Sequence, residues 1–201
     1  MRPEHPAIDP HRVTLRPARP DEIDTLVAID DEASALYAAH GLALGVTEEH
    51  PFAEAERARW LAAAQAARAF LAVSAAGVPL GFAALDLVDG APYLDQLAVH
   101  PAAMRRGVGR ALLARAIAWA EAQGAGALWL TTYAHLPFNR PYYERAGFVV
   151  VPEAACGPGI RHHLAEQRCA LPAPEQRVAM RLRLKGDAKA RAASRRTHAA
   201  S

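Results

Sequence analysis

Tyr93-Leu-Asp-Gln-Leu-Ala-Val99, a turn through His100-Pro101, then Met104-Arg-Arg-Gly-Val-Gly-Arg110 running straight into an Ala/Leu-rich segment: this stretch decides the fold. An apolar strand here delivers a basic, glycine-bearing loop to the start of a helix. Gly107 and Gly109 carry no Cβ, so the backbone can take unusual dihedrals and a ligand can come close. The first-turn N–H groups of a helix have no intrahelical partner and lie at the positive end of its dipole, which makes an anion site. Each such interaction is worth only ~0.3–1 kcal/mol at an exposed position. Arg105, Arg106 and Arg110 are therefore needed for much of the remaining attraction to a phosphate.

The spelling separates the phosphate folds that use such a turn. A P-loop requires Lys and Ser/Thr after its last glycine, and Arg110-Ala111 stand there instead. A dinucleotide fingerprint requires a third small residue where this chain has Leu112, and a tighter turn than His100 to Arg106 allows. What is left is R/Q-x-x-G-x-G/A after a strand, with Met104 in the first place. Residues 93–124 thereby resemble the acetyl-CoA-binding motif of the GNAT superfamily of acyl-CoA-dependent N-acetyltransferases. A second signature agrees: Pro137-Phe-Asn-Arg-Pro-Tyr-Tyr-Glu-Arg-Ala-Gly-Phe148 is similar to the family's N-x-x-(small)-x-Y-x-x-x-G-F in shortened form, with Pro141 near the family's alanine.

Composition narrows the alternatives. The 201 residues fit one domain, expected over 11–184, followed by a basic, Ala-rich tail over 185–201 that reads as disordered. A net charge of +2 argues against a wholesale nucleic-acid binder. Cys156 and Cys169 form no CxxC, no His/Cys cluster has zinc spacing, and Met1-Arg-Pro-Glu-His-Pro lacks an apolar signal core. A soluble cytoplasmic protein without metal is the expectation.

Along the chain, Val13–Pro17 reads as a short strand, and Pro20-Asp21-Glu22 opens a helix with Ile23, Leu26, Val27 and Ile29 on its stripe. Six carboxylates crowd that helix: Asp21, Glu22, Asp24, Asp30, Asp31 and Glu32. They read either as a solvated face or as an acidic rim for a cationic amine. A second helix is predicted over 51–68 with Ala58, Leu61 and Ala62 inward, then strands over 70–73 and 79–88 with a turn at Gly77. Strict alternation would put Tyr93, Asp95, Leu97 and Val99 on one face of the next strand, and Leu94, Gln96 and Ala98 on the other. A helix over 107–123 carries Val108, Leu112, Leu113, Ala116, Ile117 and Ala120 on one stripe, and Leu128–Tyr133 completes a β-α-β unit with a parallel pair. Residues 152–175 read as loose apart from a helical turn near His162–Ala165, and Arg177–Leu184 as a last strand.

The resemblance implies an α/β (α+β) fold: a mixed six- to seven-stranded sheet flanked by about four helices, strands 93–99 and 127–133 parallel and splayed around the pantetheine arm. It implies acetyl transfer from acetyl-CoA, as co-substrate, to a primary amine in a ternary complex, with a small-molecule acceptor favoured over a protein. A non-catalytic acyl-CoA sensor or scaffold is the alternative, and a homodimer fits either. By resemblance, main-chain groups of Leu97, Ala98 and Val99 hold the pantetheine, and the Val99 N–H faces the thioester oxygen. The backbone of Arg105, Arg106, Gly107, Val108, Gly109 and Arg110 takes the pyrophosphate, and Asn139 the arm. Tyr143, four residues before Gly147, is the expected general acid, whereas Tyr142 reads as core packing and surface contact. Asp95 reads as the base or as a structural hydrogen-bonding group, and His135, just past the next strand, as another base.

Overall fold

Seven apolar runs become strands and join one sheet in the order β1-β2-β3-β4-β5-β7-β6. The computed structural model describes residues 13–185; the predicted tail, beyond Lys185, lies outside the described residues. The strands are β1 (Thr14–Pro17), β2 (Ala69–Val73), β3 (Pro79–Val88), β4 (Ala91–Val99), β5 (Ala127–Tyr133), β6 (Val149–Val151) and β7 (Arg177–Arg183). The helices are α1 (Ile23–Ala39), α2 (Pro51–Gln65), α3 (Val108–Ala122), α4 (Arg140–Arg145) and α5 (Pro158–Ala170). Every ladder is antiparallel except β4–β5, whose register is Tyr93↔Trp129 and Leu94↔Leu130. Beyond those two pairs the strands part, so the splay is present. No described helix is long and apolar enough to cross a membrane.

Helix α3 covers one face. Val108, Leu112, Leu113, Ala116 and Ala120 are buried against Leu85, Leu94, Leu128 and Leu130. Fully burying each such leucine contributes ~1.5–3 kcal/mol, which fixes the helix and so the loop that leads into it. Helices α1 and α2 cover the opposite face through Ile23, Leu26, Ile29, Trp60, Ala63 and Ala64, packed on Leu71, Phe82 and Ala98. The inner face of α2 is therefore Trp60, Ala63 and Ala64, with Leu61 beside them; Ala58 and Ala62 are exposed, contrary to the expectation. An alanine-rich helix has little apolar contrast. The indole, edge-on to Phe82 at 5.1 Å between centroids, sets its rotation.

Helix α5 occupies the stretch read as loose. Its buried residues are Ile160, Leu164 and Gln167, a stripe with a polar member and hence a weak sequence signal. What starts it is remote: Asp89 accepts from the N–H of Gly159 (2.8 Å) and of Ile160 (3.2 Å). A Cβ on Gly157 would lie 2.2 Å from Asp89 Oδ2, so that close approach excludes larger residues.

The alternation read along β4 fails at one place. Ala84 pairs with Gln96 but Leu85 pairs with Leu94, so Asp95 is the extra residue of a β-bulge. Leu94, Leu97 and Val99 consequently pack towards α3. Asp95 and Gln96 both contact the α1/α2 side, through Trp60 and Asp30, and Ala98 packs there too. Asp95 and Val99 do not share a face. Tyr93 Oη and Thr131 Oγ1 hydrogen-bond at 2.6 Å where β4 and β5 begin to part.

Candidate active site

The parted strands open into a cavity of about 1390 Å³ reaching from α1 and α2, through the gap, to the loop before α3. His100 N–H donates to Leu80 O (2.9 Å), so even-numbered residues at the end of β4 face β3. By alternation the amides of Leu97 and Val99 turn to the open edge, while Ala98 belongs to the β3 ladder. The Leu97 N–H donates to Gln96 Oε1 (2.9 Å), and Gln96 Nε2 donates to Asp30 Oδ1 (2.8 Å). With β5 parted here, β4 presents an open edge beyond the Leu97 amide, which Gln96 occupies, of the kind an extended amide ligand can join.

At the far end, Arg105 (φ 60°) and Gly107 (φ 83°) both adopt the left-handed region, and Gly107 is the N-cap of α3. The first intrahelical bond of that turn runs from Ala111 N–H to Gly107 O, which leaves the amides of Val108, Gly109 and Arg110 without a helical partner. The Val108 side chain is buried and anchors the turn. Arg105, Gly107, Gly109 and Arg110 line the cavity; Arg105 and Arg110 are exposed and form no ion pair with a described residue. Arg106 is exposed but does not line the cavity. A phosphate chain fits here on dipole, amides and charge together.

The α1/α2 end of the cavity is acidic: Asp24, Asp30, Asp31, Glu48, Glu54 and Glu56 line it, whereas Asp21, Glu22 and Glu32, from the same crowded stretch, do not and are committed elsewhere. Glu22 is hydrogen-bonded by Arg16, which holds its carboxyl down at about 2. Asp21 pairs with Arg19, Asp24 with Arg57, and Glu32 with His100. Asp30 and Glu56, recessed in the cavity wall, are held more loosely: Asp30 accepts only from the neutral Gln96, and Glu56 has a long 3.9 Å contact with Arg59 Nη2. Burial, with the neighbouring charge of Asp31, pushes Asp30 up to about 7; burial, with Asp30 and Asp95 nearby, pushes Glu56 up to about 8. Sequence reading missed Glu56 because nothing in an Ala/Glu/Arg helix marks the side that meets a gap.

Asp95 also lines the cavity, but its carboxylate is tied to α2. Arg59 Nε lies 3.3 Å from each of its oxygens and Trp60 Nε1 at 3.1 Å, and only 5% of its side chain is exposed. Burial raises its pKa against the opposing charge of Arg59. This carboxylate ties α2 to the bulge. Asp95→Ala, which leaves Arg59 and Trp60 without their acceptor, is expected to cost about 3 kcal/mol and roughly 6–12 °C in Tm. A variant that melts like the parent would overturn the anchoring role.

Tyr143 and Tyr142 both line the cavity. Tyr143 is buried against Phe148, ring centroids 5.6 Å apart, and burial raises its phenol well above the ordinary value. Tyr142, expected only to pack, places a buried hydroxyl without a hydrogen-bond partner next to the loop: a Cβ on Gly109 would sit 3.4 Å from it. Asn139, the N-cap of α4, is buried and directs Nδ2 at Tyr37 Oη (3.4 Å). His135 is exposed, its ring edge-on to Tyr133, and is not part of the cavity wall.

An open mixed sheet splayed between two central strands, with an anion-binding helix start at the mouth, is the architecture of an acyl-CoA-dependent transferase. A model of the Acetyltransferase (GNAT) family matches residues 29–148, and the chain belongs to that family. It is an N-acetyltransferase with acetyl-CoA as donor. Solved structures share the fold. The PaiA N-acetyltransferase of Thermoplasma acidophilum in complex with coenzyme A superposes with TM-score 0.61 at 16% identity, over 85% of this chain and 98% of that one. Naa20 of Chaetomium thermophilum in complex with a bisubstrate analogue gives 0.56 at 20%, over 88% and 89%. N-acetylglutamate synthase of Neisseria gonorrhoeae, complexed with coenzyme A and N-acetyl-glutamate, gives 0.59 at 21%, over 86% of this chain and 35% of that one.

Proposed function

We propose that the enzyme acetylates a small primary amine by direct attack on the thioester in a ternary complex, and that the amine is drawn in as a cation. The observation that carries this reading is the continuity of one cavity from the unpaired edge of β4 to the recessed pair Asp30 and Glu56. The Val99 amide stabilises charge on the thioester oxygen, and the main chain from Leu97 to Val99 holds the pantetheine amides. The amides of residues 105–110, with the side chains of Arg105 and Arg110, hold the pyrophosphate, and Asn139 the arm; Arg106, expected to join them, is not part of the cavity wall. Asp30 and Glu56 bind the ammonium and take its proton; Tyr143 gives one to the departing thiolate. Asp95 fixes the wall on which Glu56 stands. Initial rates with an amine panel test the reading: thiol release with intersecting double-reciprocal lines is expected. Parallel lines would remove the ternary complex, and coenzyme binding without turnover would favour a sensor.

The pH dependence has a definite sign. Since burial raises both carboxyls, to about 7 and about 8, their ionised, cation-binding forms appear only as pH climbs through that window. Acceptor kcat/KM should therefore rise between pH ~6 and ~9. Stability moves the other way. The folded chain keeps protons that the unfolded chain releases near pH ~4, so this contribution is complete below pH ~4 and is lost as pH rises through the folded values. Asp30→Asn combined with Glu56→Gln should lose the rise in kcat/KM and gain ~1 kcal/mol, about 2–4 °C in Tm, at pH 8. A double variant with the parental pH profile would overturn the assignment.

A further inference from the structure

We infer that the acceptor carries a carboxylate as well as its amine and that Arg177 receives it, a reading that rests on the transferase function proposed above. Arg177 opens β7 opposite Tyr133 and is 7% exposed. Among the described residues it is the one residue of formal charge that is buried as a whole. Its guanidinium lies over the Tyr133 ring, 4.5 Å from the centroid. Nη2 donates to Gln167 Oε1 at 2.5 Å, and Nε has no acceptor. It makes no ion pair with a described carboxylate, whereas the more exposed Arg16, Arg19, Arg57, Arg59, Arg68, Arg140 and Arg168 each do.

A buried charge normally has a counter-charge, because its desolvation costs several kcal/mol even after relaxation (order of magnitude). Gln167 orients the guanidinium but, being neutral, cannot balance it. Arg177 nevertheless lines the cavity, with Tyr37, Tyr133, Gln167 and Leu171 around it. Glu56 feels this charge across the cavity but forms no ion pair with it, so a contacting counter-charge is one a ligand can bring, and the planar guanidinium fork suits a carboxylate. The cavity has two poles. Asp30 and Glu56 face it from α1 and α2, and Arg177 faces it from β7. A plain amine satisfies the first pole and leaves the second bare. A free amino acid, or a small molecule with the same pair of charges, satisfies both. A lysine side chain within a protein lacks the second charge.

The test compares amino acids with their own carboxamides as acceptors, at fixed acetyl-CoA. Amidation makes the amine less basic and more often neutral, so chemistry alone favours the amide; preference for the free acid reports recognition. The wild type should show kcat/KM about tenfold or more higher for the acid. In Arg177→Met that ratio should fall towards one. Because this variant can fail to fold, calorimetric titration of the wild type with N-acetyl amino acids and N-acetyl amino-acid amides gives a second readout, with the acids expected to bind about tenfold tighter. Acids and amides acetylated and bound equally well would overturn the role of Arg177 and leave the transferase reading standing. Acetylation of neither, with acetyl-CoA bound, would bring down both.

Discussion

Gly109→Asp is expected to weaken coenzyme binding about 100-fold or more, while the protein melts at or above the parental temperature. The two halves have separate causes. Gly109 lies in the first turn of α3 beside amides that have no helical partner. A carboxylate there interacts favourably with the helix dipole, worth ~0.3–1 kcal/mol, and replacing glycine in a helix adds ~0.5–1 kcal/mol. The same carboxylate meets the pyrophosphate as a like charge. At ~4 Å and an effective dielectric near 20, each such pair costs ~4 kcal/mol, more than the ~2.7 kcal/mol that 100-fold represents. Bulk is the smaller matter, since a Cβ would stand 3.4 Å from Tyr142 Oη and 3.5 Å from Val99 Cγ2. Gly109→Ala should therefore keep coenzyme affinity within several-fold. Calorimetric titration with coenzyme A checks both variants; parental affinity in Gly109→Asp would remove the loop from the binding site.

The parts of this site legible in the sequence are those made of main chain. An anion turn needs glycine, and Gly107 and Gly109 announce it before any neighbour is known. The parallel β4–β5 pair follows from the crossover helix between them. Illegible were the features set by partners distant in sequence. The bulge at Asp95 leaves composition untouched and still reverses which residues share a face. Helix α5 draws its N-terminal acceptor from Asp89, 70 residues before Gly159. Its stripe includes a buried glutamine that belongs to Arg177. A last strand with arginines at Arg177, Arg181 and Arg183 reads as half-solvated until α5 is laid beside it. The α1/α2 side of the cavity depended on these packing partners, so the places of Glu56 and Arg177 in its wall could not be read from sequence, whereas the glycine turn before α3 could.

Tyr143→Phe should lower kcat by about 10²-fold or more and leave coenzyme affinity nearly intact. The substitution removes one hydroxyl and keeps the ring, whose packing on Phe148 and Tyr142 holds it in place. Burial first, then the nearby Tyr37, raises the phenol pKa, so Tyr143 keeps its proton at any working pH and can offer it to a thiolate. It follows that the rise in rate from pH ~6 to ~9 belongs to the carboxylates and persists in Tyr143→Phe at a lower level. Tyr142→Phe serves as the contrast. Its hydroxyl is the one next to Gly109, so its loss should weaken coenzyme binding rather than the proton-transfer step. An acetyl thioester of an acidic aryl thiol gives the sharpest comparison. Its leaving group needs no proton, so an acid catalyst becomes superfluous, and the ratio of parental to Tyr143→Phe rates should shrink towards one. If the two enzymes turn acetyl-CoA over equally fast, Tyr143 is packing and the proton comes from elsewhere. If the variant is slow with both donors alike, the hydroxyl positions the substrate instead of protonating it.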